Sequence, residues 1–219
     1  MTKGPKPDGR AKDCIRVLCV DDHRIVRDGL TALISRQPGM KVVASAATGQ
    51  EAVALFKEHL PDVTLMDLQL GSMSGVEAIA AIRRYAPDAR IVVLTMAQGD
   101  EDIHRALNAG AATYLLKDTA FEELVSVVRD VHAGKQPEIS SSVKKLLATR
   151  ASRPTLTARE VQILDLIRKG MRNWEIGTAL GITEETVQTH VKNILAKLEA
   201  QDRTAAVDIA LRRGILHFR

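Results

Sequence analysis

The sequence contains few aromatic residues and no long apolar run. Only 3% of its 219 residues are Phe, Trp or Tyr, whereas carbohydrate binders and single-stranded nucleic acid binders rely on aromatic faces. No apolar stretch approaches the roughly 18–20 residues that a membrane-spanning helix needs, and residues 1–13 are polar, unlike a secretory signal. These absences exclude a membrane partner and favour a protein of the cytoplasm.

Cysteine is also scarce, since Cys14 and Cys19 are the only two in the chain. They lie five residues apart in a predicted strand, so their side chains would point to opposite faces of it. That geometry argues against a disulfide between them and for a reducing compartment.

The formal net charge of +4 is divided unevenly along the chain. Residues 1–137 hold 17 basic and 18 acidic side chains, a net charge of −1. Residues 138–219 hold 14 basic and 9 acidic side chains, a net charge of +5. An acidic first part and a basic second part indicate two modules with different partners, and the basic one is suited to a polyanion.

Short apolar runs alternate with amphipathic stretches through the first part of the chain. Buried strands separated by helices of 10–15 residues predict an α/β, doubly wound parallel sheet of five strands, whose ligands bind at the carboxyl ends of the strands. We expect a capping box at Thr119 and Glu122 to begin the fifth helix. The predicted strands are Ile15–Val20, Lys41–Ala46, Asp62–Met66, Arg90–Thr95 and Thr113–Leu116, and the helices cover residues 23–36, 50–59, 76–85, 100–109 and the stretch that ends near Gly134.

The pattern changes to helices alone after the fifth strand. A Pro- and Ser-containing stretch predicts a linker with a short helix over Val143–Thr149. A second capping box, Thr157 with Glu160, predicts the start of a small all-α domain. Within it, two helices flank the tight turn 181–183, with Thr183 as the N-cap of the second, which is the spacing of a helix-turn-helix.

Charged and hydroxyl residues follow the predicted strands at one edge of the sheet. Asp21 and Asp22 follow the first strand and Asp67 follows the third. Three carboxylates in one small site repel each other unless a cation is present, and an all-oxygen site with open positions suits Mg²⁺. Thr95 ends the fourth strand and Lys117 follows the fifth, so a carboxylate held between Mg²⁺ and an ammonium could accept a phosphoryl group.

Each of these residues also has a purely structural interpretation. Asp22 could cap the helix that follows it, and Lys117 could be a solvated surface lysine. Thr95 could be an ordinary strand-end threonine. The functional interpretation rests on all of them occurring together at converging strand ends.

These segments resemble the receiver domain of two-component response regulators. The matching residues are 20–23 (Val-Asp-Asp-His), 65–68 (Leu-Met-Asp-Leu), 93–95 (Val-Leu-Thr) and 110–118. The resemblance implies a flavodoxin-like sheet of strand order 2-1-3-4-5 and a phosphoryl group passed from a sensor histidine kinase to Asp67. The implied site residues are Asp21, Asp22, Asp67 and the backbone carbonyl of Gln69 for Mg²⁺, Lys117 and Thr95 for the phosphoryl group, and Tyr114 as a switch aromatic.

Tyr114 has an alternative interpretation, and the loop after the third strand departs from the usual receiver pattern. Tyr114 could instead be a half-buried aromatic of an edge strand. After the third strand such receivers usually have proline and aspartate where this chain has Gly71 and Ser74. The glycine loosens the loop beside Asp67, and the serine keeps an N-cap but removes a charge.

The second module resembles the LuxR-type helix-turn-helix of NarL/FixJ regulators, over about residues 154–217. The matching segments include 156–160, 173–176, 180–182 and 186–198. The resemblance implies binding to double-stranded DNA, which agrees with a helix that is polar on one face. We expect base contacts from Gln188, Thr189, Lys192 and Asn193, and phosphate contacts from Thr157, Thr186 and Arg203.

The same resemblance implies a homodimer in the active state. The last helix then supplies the candidate contacts Ala206, Ile209, Ala210 and Arg213. Gln188 and Trp174 both stand where the family often has lysine. For Trp174 a partly exposed aromatic and a contact to another domain or subunit are both open interpretations.

The sequence thus predicts a tail over residues 1–13, a receiver over 14–135, a linker over 136–153 and a DNA-binding domain over 154–219. The predicted function is regulation of transcription through phosphorylation of Asp67. We do not expect an enzyme, except that the chain could catalyse its own phosphoryl transfer. One rival is a phosphatase with an aspartyl-phosphate intermediate, which needs an acid where Gln69 stands. The other is a regulator that senses a small molecule without phosphate, which would typically lack the full set of acids with Thr95 and Lys117.

Overall fold

The computed structural model describes residues 14–96, 99–139 and 141–217. The predicted tail over residues 1–13 lies outside the described residues. Contacts divide the chain into two compact units. The first contains Met1–Thr95 and Ala109–Pro137, and the second contains Met96–Asn108 and Glu138–Arg219. The sequence did not predict that residues 96–108 would group with the C-terminal helices.

Among the described residues, five strands and four helices form the first unit, with labels that follow chain order. The strands are mostly apolar, as is usual for a parallel sheet whose two faces are covered by helices. Their bounds are β1 Ile15–Val20, β2 Met40–Ala46, β3 Val63–Met66, β4 Ile91–Thr95 and β5 Thr113–Leu116, and the helices are α1 Arg24–Ser35, α2 Gly49–His59, α3 Gly75–Tyr85 and α5 Phe121–His132.

The strands form one parallel sheet in the predicted order β2-β1-β3-β4-β5. The register pairs Val20 with Met66 and Thr95 with Leu116. The residues that follow these positions therefore leave neighbouring strands at the same edge, where Asp67 N–H donates to the Val20 carbonyl at 2.9 Å. The sheet register brings the ends of β1, β3, β4 and β5 together, as the sequence predicted.

The described part of the second unit forms six helices. A core of aliphatic side chains, including Ile163, Ile176 and Val187, holds its last four helices together. The turn between the third- and second-last helices uses Gly181 with φ of 65°, a conformation that glycine adopts without strain. The helices are α4 Asp100–Asn108, α6 Ser141–Ala151, α7 Ala158–Arg168, α8 Asn173–Leu180, α9 Glu184–Leu198 and α10 Arg203–Arg212.

Two predicted helix starts have different outcomes. The capping box at Thr157 and Glu160 is confirmed at the start of α7. The one at Thr119 and Glu122 is wrong, because α5 begins at Phe121 with Ala120 as its N-cap. A turn in which Thr119 N–H donates to the Leu116 carbonyl at 3.0 Å shifts the start by one residue, so Glu122 is too early to complete a box.

The linker and cysteine predictions also have outcomes. Within the predicted linker, α6 is longer than the predicted helix over Val143–Thr149. Both cysteines are free, as expected. Burial, and to a smaller extent the negative charge of Asp21, raises the pKa of the Cys19 thiol to about 12. Among the described helices none has the length and apolarity to span a membrane.

Candidate functional site

The carboxylates of Asp21 and Asp67 meet the ammonium of Lys117 at the carboxyl edge of the sheet. Lys117 Nζ lies 2.6 Å from Asp21 Oδ2 and 2.7 Å from Asp67 Oδ2. Both aspartates are buried, at 1% and 2% exposure, and the lysine side chain is 10% exposed. The Lys117 ammonium therefore bridges two carboxylates, one that follows β1 and one that follows β3.

Electrostatics keeps this lysine charged. Burial by itself would lower the pKa of the Lys117 ammonium, but hydrogen bonds and attraction to Asp21 and Asp67 outweigh burial and raise the pKa above its usual value. The solvated-surface interpretation of Lys117 is wrong, because its ammonium lies between two buried acids. Lys117 is thus a fixed positive charge beside Asp67.

Asp22 and His23 complete an acidic cluster. Ligand atoms of Asp21, Asp22, His23 and Asp67 all lie within 4.8 Å of one another. His23 Nδ1 is 2.6 Å from Asp22 Oδ1, and α1 has His23 as its N-cap, so the alternative that Asp22 caps this helix is wrong. With three carboxylates and one ammonium the site keeps two negative charges, which fits a divalent cation with oxygen ligands such as Mg²⁺.

Two further residues at the site are Gln69, whose backbone carbonyl stays a predicted ligand, and His23, which the sequence did not predict as one. Gln69 is exposed, and its backbone N–H donates to Asp67 Oδ1 at 3.3 Å, which orients the carboxylate. His23 was not a predicted ligand, although it directly follows the two aspartates in the quoted segment. A ring nitrogen is a softer donor than carboxylate oxygen and is not needed for magnesium.

The residues that end β4 and β5 are buried beside this edge. Thr95 is 0% exposed, and its backbone carbonyl accepts a hydrogen bond from the N–H of Lys117 at 3.1 Å. Tyr114 is 2% exposed. This edge-strand tyrosine is therefore buried rather than half-buried, and its role as a switch stays a prediction.

The loop after β3 is held by its serine and by a glycine. Ser74 caps α3 in a reciprocal capping box with Glu77, which confirms that serine retains the N-cap. Among the described residues no heavy atom lies within 4 Å of a Cβ built at Gly71, so this glycine fills no packing need. A Cβ at Gly75 would overlap the Asp67 backbone carbonyl, so the close approach of α3 to the site requires glycine there.

One face of α9 is apolar and packed, and the opposite face is exposed. Val187, Ile194 and Leu198 are at most 5% exposed and belong to the core of the second unit. A Cβ at Gly177 would lie 2.8 Å from the Ile182 carbonyl oxygen, so the turn packs closely on α8. The exposed side chains of α9 include all four predicted base-contact residues, namely Gln188, Thr189, Lys192 and Asn193.

The three predicted phosphate contacts already make contacts within the chain. Thr157 Oγ1 donates to Glu160 Oε2 at 3.0 Å, and Thr186 shares a 2.8 Å hydrogen bond with Thr183. Arg203 Nη2 donates to the Met171 carbonyl at 2.9 Å. Each therefore positions the domain's own backbone, and contact with a phosphate would use their remaining hydrogen-bonding groups.

The four predicted dimer contacts at the last helix differ in burial. Ala206 and Ala210 are 1% and 0% exposed and lie in the domain's own core. The prediction for these two is wrong in this structure, because side chains packed inside one domain cannot meet a second subunit. Ile209 and Arg213 are only partly buried and remain predicted contacts.

Glu160 is a buried ion-pair partner that the sequence identified only as a cap. Its Oε2 accepts hydrogen bonds from Thr157 N–H and from Lys197 Nζ, each at 2.7 Å, while the residue is 3% exposed. Burial alone would raise the pKa of this carboxyl, but these hydrogen bonds outweigh it and lower the pKa. The pair joins the start of α7 to the end of α9 and so fixes the angle of α9.

We expect Glu160→Gln to lower the unfolding free energy of the second unit by about 1.5–3 kcal/mol at neutral pH, since a charged hydrogen-bond partner is lost. Because the folded pKa is depressed, the stabilisation is complete above the ordinary pKa of about 4.3 and is lost as pH falls below it. Fluorescence of Trp174, the only tryptophan, measures unfolding of this unit.

The matched control is Glu138→Gln, whose side chain is 90% exposed in its pair with Lys144. It should leave both the stability and its pH dependence unchanged. Equal acid sensitivity of wild type and Glu160→Gln would contradict the assignment of this carboxylate.

Two family models match the chain. The response regulator receiver domain matches residues 17–129, and the LuxR family of bacterial regulatory proteins matches residues 154–210. A curated relative, response regulator protein VraR of Staphylococcus aureus (strain NCTC 8325 / PS 47), is 42% identical over 206 residues, covering 92% of this chain and 99% of VraR.

Solved structures give the same likeness. The response regulator ChrA of a heme-sensing two-component system is 32% identical with a TM-score of 0.56, covering 93% of this chain and 100% of that one. A LuxR-family response regulator from Aurantimonas sp. SI85-9A1 is 39% identical with a TM-score of 0.59, covering 63% and 98%. RcsB, solved as two dimers bound to two parallel DNAs, has the same fold at 23% identity and a TM-score of 0.64, covering 91% and 98%.

Proposed function

Because the chain belongs to the two-component response regulators that join a receiver domain to a LuxR-type helix-turn-helix, we propose that phosphorylation of Asp67 controls its dimerisation and its sequence-specific binding to DNA. The observation that carries the proposal is the buried Asp21–Lys117–Asp67 contact at the edge of the sheet. The proposal is supported by a buried carboxylate, an ammonium and an acidic cluster that lie together there. A sensor histidine kinase supplies the phosphoryl group, and the chain acts in the cytoplasm.

The phosphoryl transfer is a substitution at phosphorus. An Asp67 carboxylate oxygen forms a bond to phosphorus as the phosphorus–nitrogen bond of the kinase phosphohistidine breaks. The electron pair of that bond stays on the imidazole, which takes up one proton. Lys117 holds a positive charge beside the transferred oxygens, and the Gln69 N–H orients the carboxylate.

The acidic cluster would hold Mg²⁺ through Asp21, Asp22, Asp67 and the Gln69 carbonyl. When bound, Mg²⁺ neutralises charge that develops on the transferring oxygens. Support for this role comes from the three carboxylates, whose ligand atoms lie within 4.8 Å of one another. The cation also offsets the two negative charges that the site otherwise retains.

The acyl phosphate then alters the balance between two conformations. A phosphoryl group adds charge and hydrogen-bond acceptors beside Thr95, whose side chain is buried at the end of β4. A ligand shifts a conformational equilibrium only if it interacts unequally with the two states. In this proposal Thr95 and Tyr114 change position between the two conformations and so couple the phosphoryl group to the rest of the chain.

DNA contact through α9 is the second half of the proposal. Its four exposed polar residues lie on the face opposite the core, where a recognition helix meets the major groove. The basic charge of residues 138–219 favours the approach to phosphates. RcsB, which shares the fold, supports a dimer on DNA as the form in which such a chain binds.

The test begins with selection of duplexes from a random pool, before and after treatment of the full chain with a small phosphoryl donor. We expect Lys192→Ala to weaken binding to the selected duplex by about 1–3 kcal/mol, because a cation on the exposed face of α9 contacts guanine or phosphate. A phosphate contact lowers the salt slope by about one and weakens all duplexes alike, whereas a base contact relaxes selectivity at one position.

Lys41→Ala is the control, since it removes the same charge from an exposed position on β2 of the first unit. It should bind as wild type does. Unchanged affinity and salt slope for Lys192→Ala would show that this face of α9 is not the DNA contact.

A further inference from the structure

The loop between β3 and α3 carries part of the acidic site, and it is held by hydrogen bonds at its two ends. The Gln69 N–H donates to Asp67 Oδ1 at 3.3 Å, and the Gly75 N–H donates to the Leu68 carbonyl at 3.0 Å. Among the described residues, the backbone groups of residues 70–73 form no hydrogen bond with another backbone group. The middle of the loop therefore depends on contacts with another element.

The first turn of α2 supplies those contacts. Gln50 Nε2 donates to Ser72 Oγ at 2.9 Å, and Ser72 Oγ donates to Gln50 Oε1 at 3.2 Å. A Cβ built at Gly49 would lie 2.6 Å from the Met73 backbone carbonyl oxygen, closer than real Cβ atoms come, so only glycine allows the loop to pack there. We call these two contacts, Gln50 with Ser72 and Gly49 with Met73, the loop clasp.

The start of α2 is itself well fixed. Thr48 is its N-cap, and Thr48 Oγ1 accepts a hydrogen bond from the Glu51 N–H at 3.2 Å. Glu51 Oε2 in turn accepts a hydrogen bond from the Ala47 N–H at 2.8 Å. These bonds satisfy N–H groups that a helix start leaves without backbone partners. Gln50 therefore projects from an ordered turn, and its pair with Ser72 can restrain the loop.

The loop clasp lies next to Gly71, which stands where receivers usually have proline. Proline restricts the backbone of a loop, whereas glycine permits many conformations. Gly71 is exposed, and among the described residues no heavy atom lies within 4 Å of a Cβ built there, so packing does not restrain it. The clasp holds the two residues that follow, Ser72 and Met73, and so restrains the loop where the glycine would free it.

We propose that Gln50 is a positioning residue for the divalent cation, because the loop clasp keeps the backbone of Gln69 beside Asp67. This role rests on the proposed function, in which the Gln69 carbonyl is a ligand of Mg²⁺. Gln50 is exposed and acts through Ser72 on the loop that carries Gln69. Without the clasp the loop samples more conformations, and the fraction of chain that is ready to bind Mg²⁺ falls, which lowers the apparent affinity.

Gln50→Ala tests this role, because it removes both hydrogen bonds to Ser72 and keeps a good helix former in α2. We expect its dissociation constant for Mg²⁺, measured by calorimetry on the full chain, to rise about fivefold, as is typical for the loss of a hydrogen-bonded contact. In metal-free chain the Gln69 amide should exchange hydrogen about fivefold faster, as measured by NMR.

The matched control is Gln162→Ala. It removes the hydrogen bond that an exposed glutamine on α7 accepts from Arg159 in the second unit. Both the dissociation constant for Mg²⁺ and the exchange of the Gln69 amide should stay as in the wild type.

Further variants separate positioning of the loop from general damage to the fold. Ser72→Ala should raise the dissociation constant as much as Gln50→Ala does. The double variant of Gln50→Ala with Ser72→Ala should bind Mg²⁺ no more weakly than either single variant, because all three remove the same contact. Gly71→Pro added to Gln50→Ala should restore the affinity, since proline restricts the loop in another way.

Phosphate uptake from a small phosphoryl donor provides a second measurement. At Mg²⁺ concentrations well below saturation, Gln50→Ala should incorporate phosphate about fivefold more slowly than the wild type, in proportion to its lower occupancy by the cation. At saturating Mg²⁺ the two rates should be equal, because the clasp affects binding of the cation and not the reaction at phosphorus.

Wild-type affinity for Mg²⁺ in both Gln50→Ala and Ser72→Ala would overturn this role, and so would a double variant that binds more weakly than either single one. If the wild type binds Mg²⁺ but takes up no phosphate, the proposed function fails, and calorimetry still decides the role of Gln50. If the wild type binds no Mg²⁺, the proposed metal site fails. Faster exchange of the Gln69 amide in Gln50→Ala then supports the clasp, and equal exchange rejects it.

Discussion

Asp67→Asn should reduce phosphate incorporation from a small phosphoryl donor by at least about a hundredfold, to the level of background, because a neutral amide is not the nucleophile that a carboxylate is. The fold should survive, since asparagine has nearly the same shape and Lys117 keeps its 2.6 Å contact with Asp21. Intact-protein mass spectrometry measures the incorporation, and chelation of divalent cations should lower it in the wild type as well.

Asp130→Asn serves as the matched control for Asp67→Asn. It makes the same chemical change in an exposed ion pair with Lys135 on the surface of the first unit, and it should incorporate phosphate as the wild type does. Incorporation that persists in Asp67→Asn would show that another residue accepts the phosphoryl group.

Lys117→Met should lower the unfolding free energy of the first unit by about 3–5 kcal/mol in the absence of divalent cations. The substitution removes the only ammonium in contact with Asp21 and Asp67 among the described residues, and it leaves two buried carboxylates facing each other. Added Mg²⁺ should recover part of the loss, because a bound cation replaces the missing positive charge. The tyrosine signal follows this unit, since both tyrosines, Tyr85 and Tyr114, lie in it.

The control for this variant is Lys135→Met, which removes an exposed partner of Asp130. Its effect should stay within about 1 kcal/mol and be independent of Mg²⁺, as is usual for surface ion pairs. If Lys117→Met were as stable as the wild type without divalent cations, the bridging role of this ammonium would be wrong.

Most of the receiver could be predicted from sequence because its signals are local. Each strand is a short β-branched run, and each observed strand begins within one residue of its predicted start. The convergence of Asp21, Asp67, Thr95 and Lys117 also followed, since a parallel sheet puts carboxyl ends at one edge. The distances could not be predicted, because placing one ammonium between two carboxylates depends on the packing of side chains that lie 50 and 96 residues apart in the chain.

The errors in prediction arose where a contact with residues outside the local sequence pattern decides the structure. Ala206 and Ala210 have the spacing of a helix face, but spacing does not say whether that face meets the domain core or a second subunit. α5 begins one residue later than predicted because Thr119 belongs to the preceding turn, where its N–H donates to the Leu116 carbonyl. In both cases the deciding contact comes from outside the local pattern.

The sequence by itself determined the two modules, the strand and helix pattern, the acidic edge of the sheet and the basic charge of residues 138–219, because periodicity, caps and charge depend on neighbouring residues. Only the tertiary structure decided that Asp100 and Asp102 are buried and that α4 packs with the C-terminal helices. An acidic first turn reads as an ordinary solvated helix start until its basic partners, some 50 to 115 residues later in the chain, are brought within hydrogen-bond distance. Ionic contacts over such separations depend on the fold, because no local pattern in the sequence brings these partners together.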